Sequence, residues 1–335
     1  MVGSRTHKTS NRRSGFTLIE VMIVIVILAI LIGLLLPALA NARTRVRQTQ
    51  VRAEISQLEN AIGAFKLRFG IEPPSRIVLY EDPTVSGGWA PSSGSPSQDA
   101  IEGLAILRQL WPSFTHTIQR DWDGDGTSTG GPFTLTQGEC LVFFLGGMPS
   151  NTVVGSIKQF SLSGFSKNPA DPSLRGGTRE GPFYEFKTDR MTDFGAPGFP
   201  EYKDPFPGQT NPYLYFSSYD GSGYREQFTG VNAEYVGGGG PSLAYRQGST
   251  VTTPSSSTNP TAPFKSKSFQ IISPGQDHQY GPGGPYVAGA TDPLPAWSSS
   301  SFGSSWAGAA ITVTTANRDV ERDNITNFSG GLLVP

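Results

Sequence analysis

The stretch "DWDGDGT" sets Asp121, Asp123 and Asp125 at alternate positions, with Gly126 directly after the last. In a calcium loop this spacing turns alternate carboxylates onto one cation, and the glycine allows the sharp turn between them. The closing bidentate carboxylate of such a loop falls on Pro132, so the full loop is absent, and Glu139 closes it only with a different geometry. The competing reading is a solvated Asp/Gly turn. A second acid stands out by its surroundings: Glu20 sits near the start of "RRSGFTLIEVMIVIVILAILIGLLLPALA", residues 12–40, where a charge in hydrocarbon is costly.

Other reactive groups are few. Of three histidines, His7, His116 and His278, the second lies close to Trp111 and Phe114 and reads as a packing or surface residue. No Gly-x-Ser-x-Gly, phosphate loop or His-Glu-x-x-His occurs, and "GSSWA" at Gly303–Ala307 fails at its last position, so no enzyme is expected. The one cysteine, Cys140, excludes an intrachain disulfide and any Cys-x-x-Cys site, and reads as a buried small hydrophobe.

The elements that must carry these groups begin with the apolar run. Phe16–Ala40 holds one charge, Glu20, and about 20 apolar helical residues cross a bilayer. A cleaved secretory signal is the rival, because "ALA" at Ala38–Ala40 imitates a signal-peptidase site. Arg5, Lys8, Arg12 and Arg13 before the run balance Arg43, Arg45, Arg47 and Arg52 after it, so charge alone leaves orientation undecided. Beyond the run, Val51, Ile55, Leu58, Ile62, Phe65 and Phe69 form an apolar stripe on a helix that Gly70 and Pro73–Pro74 stop. A single helix over Phe16–Phe69 would be roughly 80 Å long at about 1.5 Å per residue.

The remainder is rich in turns: the chain has 41 Gly and 27 Pro in 335 residues. A short helix is expected over Ala100–Leu110, and strands over Leu141–Leu145, Phe183–Phe186, Tyr213–Phe216, Phe269–Ile272 and Ile311–Thr315. Residues 71–100 read mostly as loop and 237–262 as a flexible insertion. The net charge of -1 divides into +4 for residues 1–15, +3 for 16–70 and -8 for the rest. An acidic body speaks against non-specific nucleic-acid binding, so no nucleic-acid partner is expected. The expected fold class is α+β: one long helix, a transmembrane half plus an amphipathic half, packed on a small antiparallel sheet with long loops.

"GFTLIE", Gly15–Glu20, with Arg12–Arg13 ahead and the apolar run behind, resembles the prepilin-type signal of the type IV pilin and pseudopilin superfamily. Pro37 stands at the distance from Phe16 where that family carries a helix proline. The resemblance implies a pilin-like fold and a leader over residues 1–15, cut by prepilin peptidase between Gly15 and Phe16, with Phe16 then N-methylated. It implies a segment 16–40 serving as membrane anchor and later filament core, an amphipathic helix 41–70, and a periplasmic head 71–335. Glu20 would pair with the freed amino group of Phe16 on a neighbouring subunit, rewarding correct register.

Three further pieces resemble the major pseudopilin, the G subunit of type II secretion: "DPFPGQTNPYLYFSS" from Asp204, "FQIISPGQD" at Phe269–Asp277, and "DNITNF" at Asp323–Phe328. Phe206 replaces that subunit's Trp, and His278 stands where it often has Gly. The likeness implies a structural calcium at Asp277 and Asp323, with Asp319 and Asn324 close by. It also implies an inner-membrane, single-pass subunit with a cytoplasmic N-terminus, polymerising with other pseudopilins on a membrane assembly platform. The alternatives are a surface type IV or DNA-uptake pilus subunit, and an exported calcium-binding or adhesive domain released near Ala40.

Overall fold

The computed structural model describes residues 15–154, 157–193, 196, 198–224, 243–247, 262–295, 297–298, 312–314 and 316–334. Of the expected leader only Gly15 falls within that set. Most of 237–262, the "GSSWA" segment, and both ends of the expected strand at Ile311–Thr315 lie outside it. The chain divides into two compact units, residues 1–46 and 47–335. Helix α1, Leu18–Phe69, contributes to both.

In the first unit α1 begins with a reciprocal cap. The Glu20 carboxylate accepts the backbone N–H and the hydroxyl of Thr17, each at 2.8 Å, and the Glu20 N–H donates to Thr17 Oγ1 at 3.3 Å. This Thr-x-x-Glu box satisfies N–H groups that a helix start otherwise leaves open. The helix runs unbroken through Pro37. Side chains from Val21 to Leu36 stay about half exposed or more, so nothing in the unit covers them. Among the described residues α1 is the one helix long and apolar enough to cross a membrane.

In the second unit the stripe Val51, Ile55, Leu58, Ile62 and Phe65 is buried, as its spacing requires. Phe65 packs edge-on against Phe144 and Phe183, and Phe69 against Trp111. Strand β1, Arg76–Leu79, pairs antiparallel with β2, Phe133–Thr136. Between them lies α2, Gln98–Leu110, capped by the Ser97 side chain on the Ala100 N–H. A three-stranded antiparallel sheet joins Leu214–Ser217, Phe269–Ser273 and Ile325–Thr326, with Phe269–Ser273 in the middle. Tyr215 and Ile271 of that sheet share the core with the α1 stripe.

Several expectations need correction. Leu141–Leu145 is not a strand but the centre of α3, Gln137–Gly146, every residue of which is buried. A short apolar run has no period to decide between helix and strand, and here the Thr136/Glu139 capping box and the Gly147 C-cap decide it. Phe183–Phe186 forms no strand; its aromatic rings pack on the core from a loop. Within the expected insertion, Leu243–Gln247 is a strand, paired parallel with Gly283–Tyr286. The sheet is also divided: β3, Pro149–Val154, pairs with β4, Ile157–Leu162, as a separate hairpin. Further two-stranded pairs stand beside the three-stranded sheet.

Candidate functional site: the N-terminal junction and its acidic loops

Gly15 and Phe16 sit in open extended chain just ahead of α1. A Cβ placed on Gly15 meets nothing within 4 Å, so the fold itself does not require glycine there. Phe16 is 82 % exposed. Glu20 is committed within its own chain to the Thr17 cap, a role the spacing Thr17-x-x-Glu20 signals and the apolar-run argument overlooked. Pro37 lies inside the helix among exposed apolar side chains.

The acidic loop is assembled differently from the sequence spacing. Asp121 and Asp123 come together with Glu81, from just after β1, their oxygens all within 4.8 Å of one another. Asp125 is exposed and turns its Oδ1 back to the Thr127 N–H at 2.7 Å. Glu139 takes no part, because it caps α3 through the Thr136 N–H at 2.8 Å and accepts the Ala196 N–H. The charge on Asp121 is met by Arg175, whose Nε lies 3.2 Å from Oδ2. Glu81 is fully buried and accepts the Trp122 N–H at 2.9 Å and the Gly130 N–H at 2.7 Å. Burial raises the pKa of both Glu81 and Asp123, and for Asp123 the neighbouring Asp125 and Asp121 add to it. These carboxylates thus spend much of their capacity on backbone donors and one guanidinium, an Asp/Gly turn tied down from afar.

The second acidic pair is brought together across a long sequence separation. Asp323 Oδ2 accepts the N–H groups of Gln276 and Asp277 at 2.5 and 3.0 Å. Asp277 is pushed up to about 6 by burial and then by the negative charge of Asp323. Gly275, with φ of 71°, lies against Asp323 so closely that a Cβ would stand 2.4 Å from the Asp323 carbonyl oxygen. Asp319 instead pairs with Arg322 at 3.0 Å, and Asn324 Nδ2 donates to the Tyr245 hydroxyl and the Tyr280 carbonyl. Asp277 and Asp323, near enough that the charge of Asp323 raises the Asp277 pKa, are chemically suitable oxygen donors for a divalent cation.

Glu54, unnoticed in the sequence, is the buried acid of the α1 stripe. It accepts Arg190 Nη1 at 3.0 Å and the hydroxyls of Tyr213, Tyr202 and Tyr184 at 2.7, 3.2 and 3.3 Å. Its position directly before Ile55 on the apolar face was the available signal. His116 accepts Arg108 at Nδ1, and burial with the charges of Arg108 and Arg120 lowers its pKa.

Residues 10–36 match the prokaryotic N-terminal methylation motif. Over its N-terminal region the chain is similar to type II secretion system core protein G from several bacteria. The Aeromonas hydrophila protein is 48% identical over 56 residues, 17% of this chain and 39% of that protein. The Vibrio cholerae protein is 38% identical over 66 residues, 20% and 45%. The Klebsiella pneumoniae protein is 39% identical over 97 residues, 29% and 66%. The chain therefore spans less than two thirds of the length of these relatives. No solved structure matches it.

Proposed function

We propose that this chain is a structural pseudopilin: a subunit held in the inner membrane by α1, processed at Gly15–Phe16 and polymerised into a periplasmic pseudopilus for type II secretion. The observation that carries the reading is the open Gly15–Phe16 junction at the head of an unburied apolar helix, matched by the methylation motif over residues 10–36. Exposed apolar surface of this extent needs lipid or other helices around it. Prepilin peptidase, other pseudopilins and the membrane assembly platform are the partners that follow. A cytoplasmic N-terminus and a periplasmic head complete the topology. N-terminal mass spectrometry of the mature protein tests this: the expected species begins with N-methylated Phe16. A chain beginning after Ala40 would refute it.

Calcium belongs to this proposal at Asp277 and Asp323, supported by the Asp323 carboxylate that joins the C-terminal segment to the loop after Phe269–Ser273 and whose charge is felt at Asp277. A cation there would offset their repulsion and tie distant loops together. Millimolar calcium is expected to raise the Tm over that in chelator for the native chain and not for Asp277→Asn. Equal Tm values for the native chain under both conditions would remove calcium from the account.

A further inference from the structure

The part of α1 within the second unit has two flanks beside its buried stripe. Arg52 follows Val51, whereas Gln50 and Gln57 precede Val51 and Leu58, so the two sets diverge from the stripe by about 100° in opposite directions. Each flank opens into a groove. On the first, Arg52 faces Ser329–Val334 together with Tyr286 and Thr291. On the second, Gln50, Gln57 and Asn60 face Phe183, Tyr184, Glu185 and Lys187.

The charges in these grooves are unequal. Arg52 is exposed and has neither a carboxylate nor any other hydrogen-bonding partner among the described residues, whereas Arg47, Arg68, Arg190 and Arg322 each have one. Its guanidinium lies close against Gly331, where a Cβ would stand 2.5 Å from Nη2 and 2.7 Å from Cζ. The missing side chain of Gly331 thus leaves room for the guanidinium at the edge of the groove. In the opposite groove Glu54 is matched by Arg190, while Glu185 is exposed and has no partner among the described residues. Lys187 shares that flank, and among the described residues Arg52 is the only charged one lining the other.

We propose that the two flanks are complementary surfaces of one heterologous interface: the Arg52 groove of one copy receives Glu185 from the opposite flank of a second copy. A contact between different patches on identical chains gives an open helical array whenever its rotation does not close into a ring, which is the symmetry a filament needs. An exposed guanidinium, unpaired among the described residues, suits a carboxylate bidentately. The inference rests on the filament reading and adds a register-setting contact between heads to the packing of apolar helices.

The test uses the full chain in the membranes of cells assembling it. Under mild oxidation the double variant R52C/E185C is expected to give a ladder of intermolecular disulfide-linked multimers, whereas R52C and E185C alone do not. Charge reversal by R52E should remove most filaments seen by electron microscopy, and R52E/E185R should restore them. Filaments of R52C/E185C that stay monomeric after oxidation would overturn the contact while leaving the filament reading intact. A dimer from R52C alone would show an isologous contact and overturn it as well. Absence of filaments from the native chain, with Phe16 not methylated, would overturn the filament reading and this contact with it.

Discussion

Glu20 caps its own helix and is proposed to act in assembly, and one substitution separates the two. Within the chain its carboxylate caps α1 at Thr17, and the proposed assembly role requires its negative charge against the Phe16 amino group of a neighbour. Glu20→Gln keeps an acceptor for the Thr17 N–H and removes the charge, so membrane insertion and helix content should persist while filament formation falls. Fractionation and electron microscopy check both, and normal filaments from Glu20→Gln would leave capping as its whole task. At this scale the candidate site was only partly legible. The apolar run made Glu20 conspicuous, and the alternation of Asp121, Asp123 and Asp125 marked a loop in which the first two acids meet Glu81. Its true neighbours, Glu81 and Arg175, lie 40 and 54 positions from Asp121 and left no local signature. Only the folded topology brings such groups together. Asp125, by contrast, makes the local turn bond its Asp/Gly context favours.

Secondary-structure elements with long periods were legible and short ones were not. Helix α1 follows from an apolar run and a stripe repeated over many turns, and α2 from its short pattern ending before Trp111–Pro112. Helix α3 was misread because a short apolar run, Cys140–Leu145, in a ten-residue helix buried on every side shows no face. Its end is fixed by Gly147, with φ of 89°, whose backbone presses on Gly164: a Cβ would stand 2.1 Å from the Gly164 Cα. Gly147→Ala meets both a left-handed backbone and a backbone clash that no side-chain rotation relieves. It should destabilise the second unit by about 2 kcal/mol or more, read from denaturant midpoints of the detergent-solubilised chain. Gly176→Ala is the control. It shares a positive φ of 83° but meets nothing within 4 Å, so it should cost distinctly less.

For the whole molecule, the uneven distribution of charge sets its response to pH. The acidic body places Glu139, Glu201 and Asp193 near one another around the start of α3. Burial first, and then the charge of Glu139 and Asp193, pushes Glu201 up to about 8; burial pushes Glu139 up to about 7. Both start from 4.5 in the unfolded chain, so folding takes up protons. The protonated pair therefore contributes stability fully below about pH 4.5, and that contribution is lost as pH rises through about 7 and 8. The two carboxyls titrate as a coupled pair, so the loss is spread over that range rather than assigned to either. The second unit should melt several degrees lower at pH 8.5 than at pH 5.5. Glu201→Gln supplies a neutral side chain of the same shape at the group with the larger shift, and Glu139 keeps its cap on α3. That variant should melt higher than the native chain at pH 8.5 and about the same at pH 5.5, flattening the profile. Parallel pH profiles for native and variant chains would mean that Glu201 is ionised in the fold and that other acids, Asp204 and Asp277 among them, set the dependence.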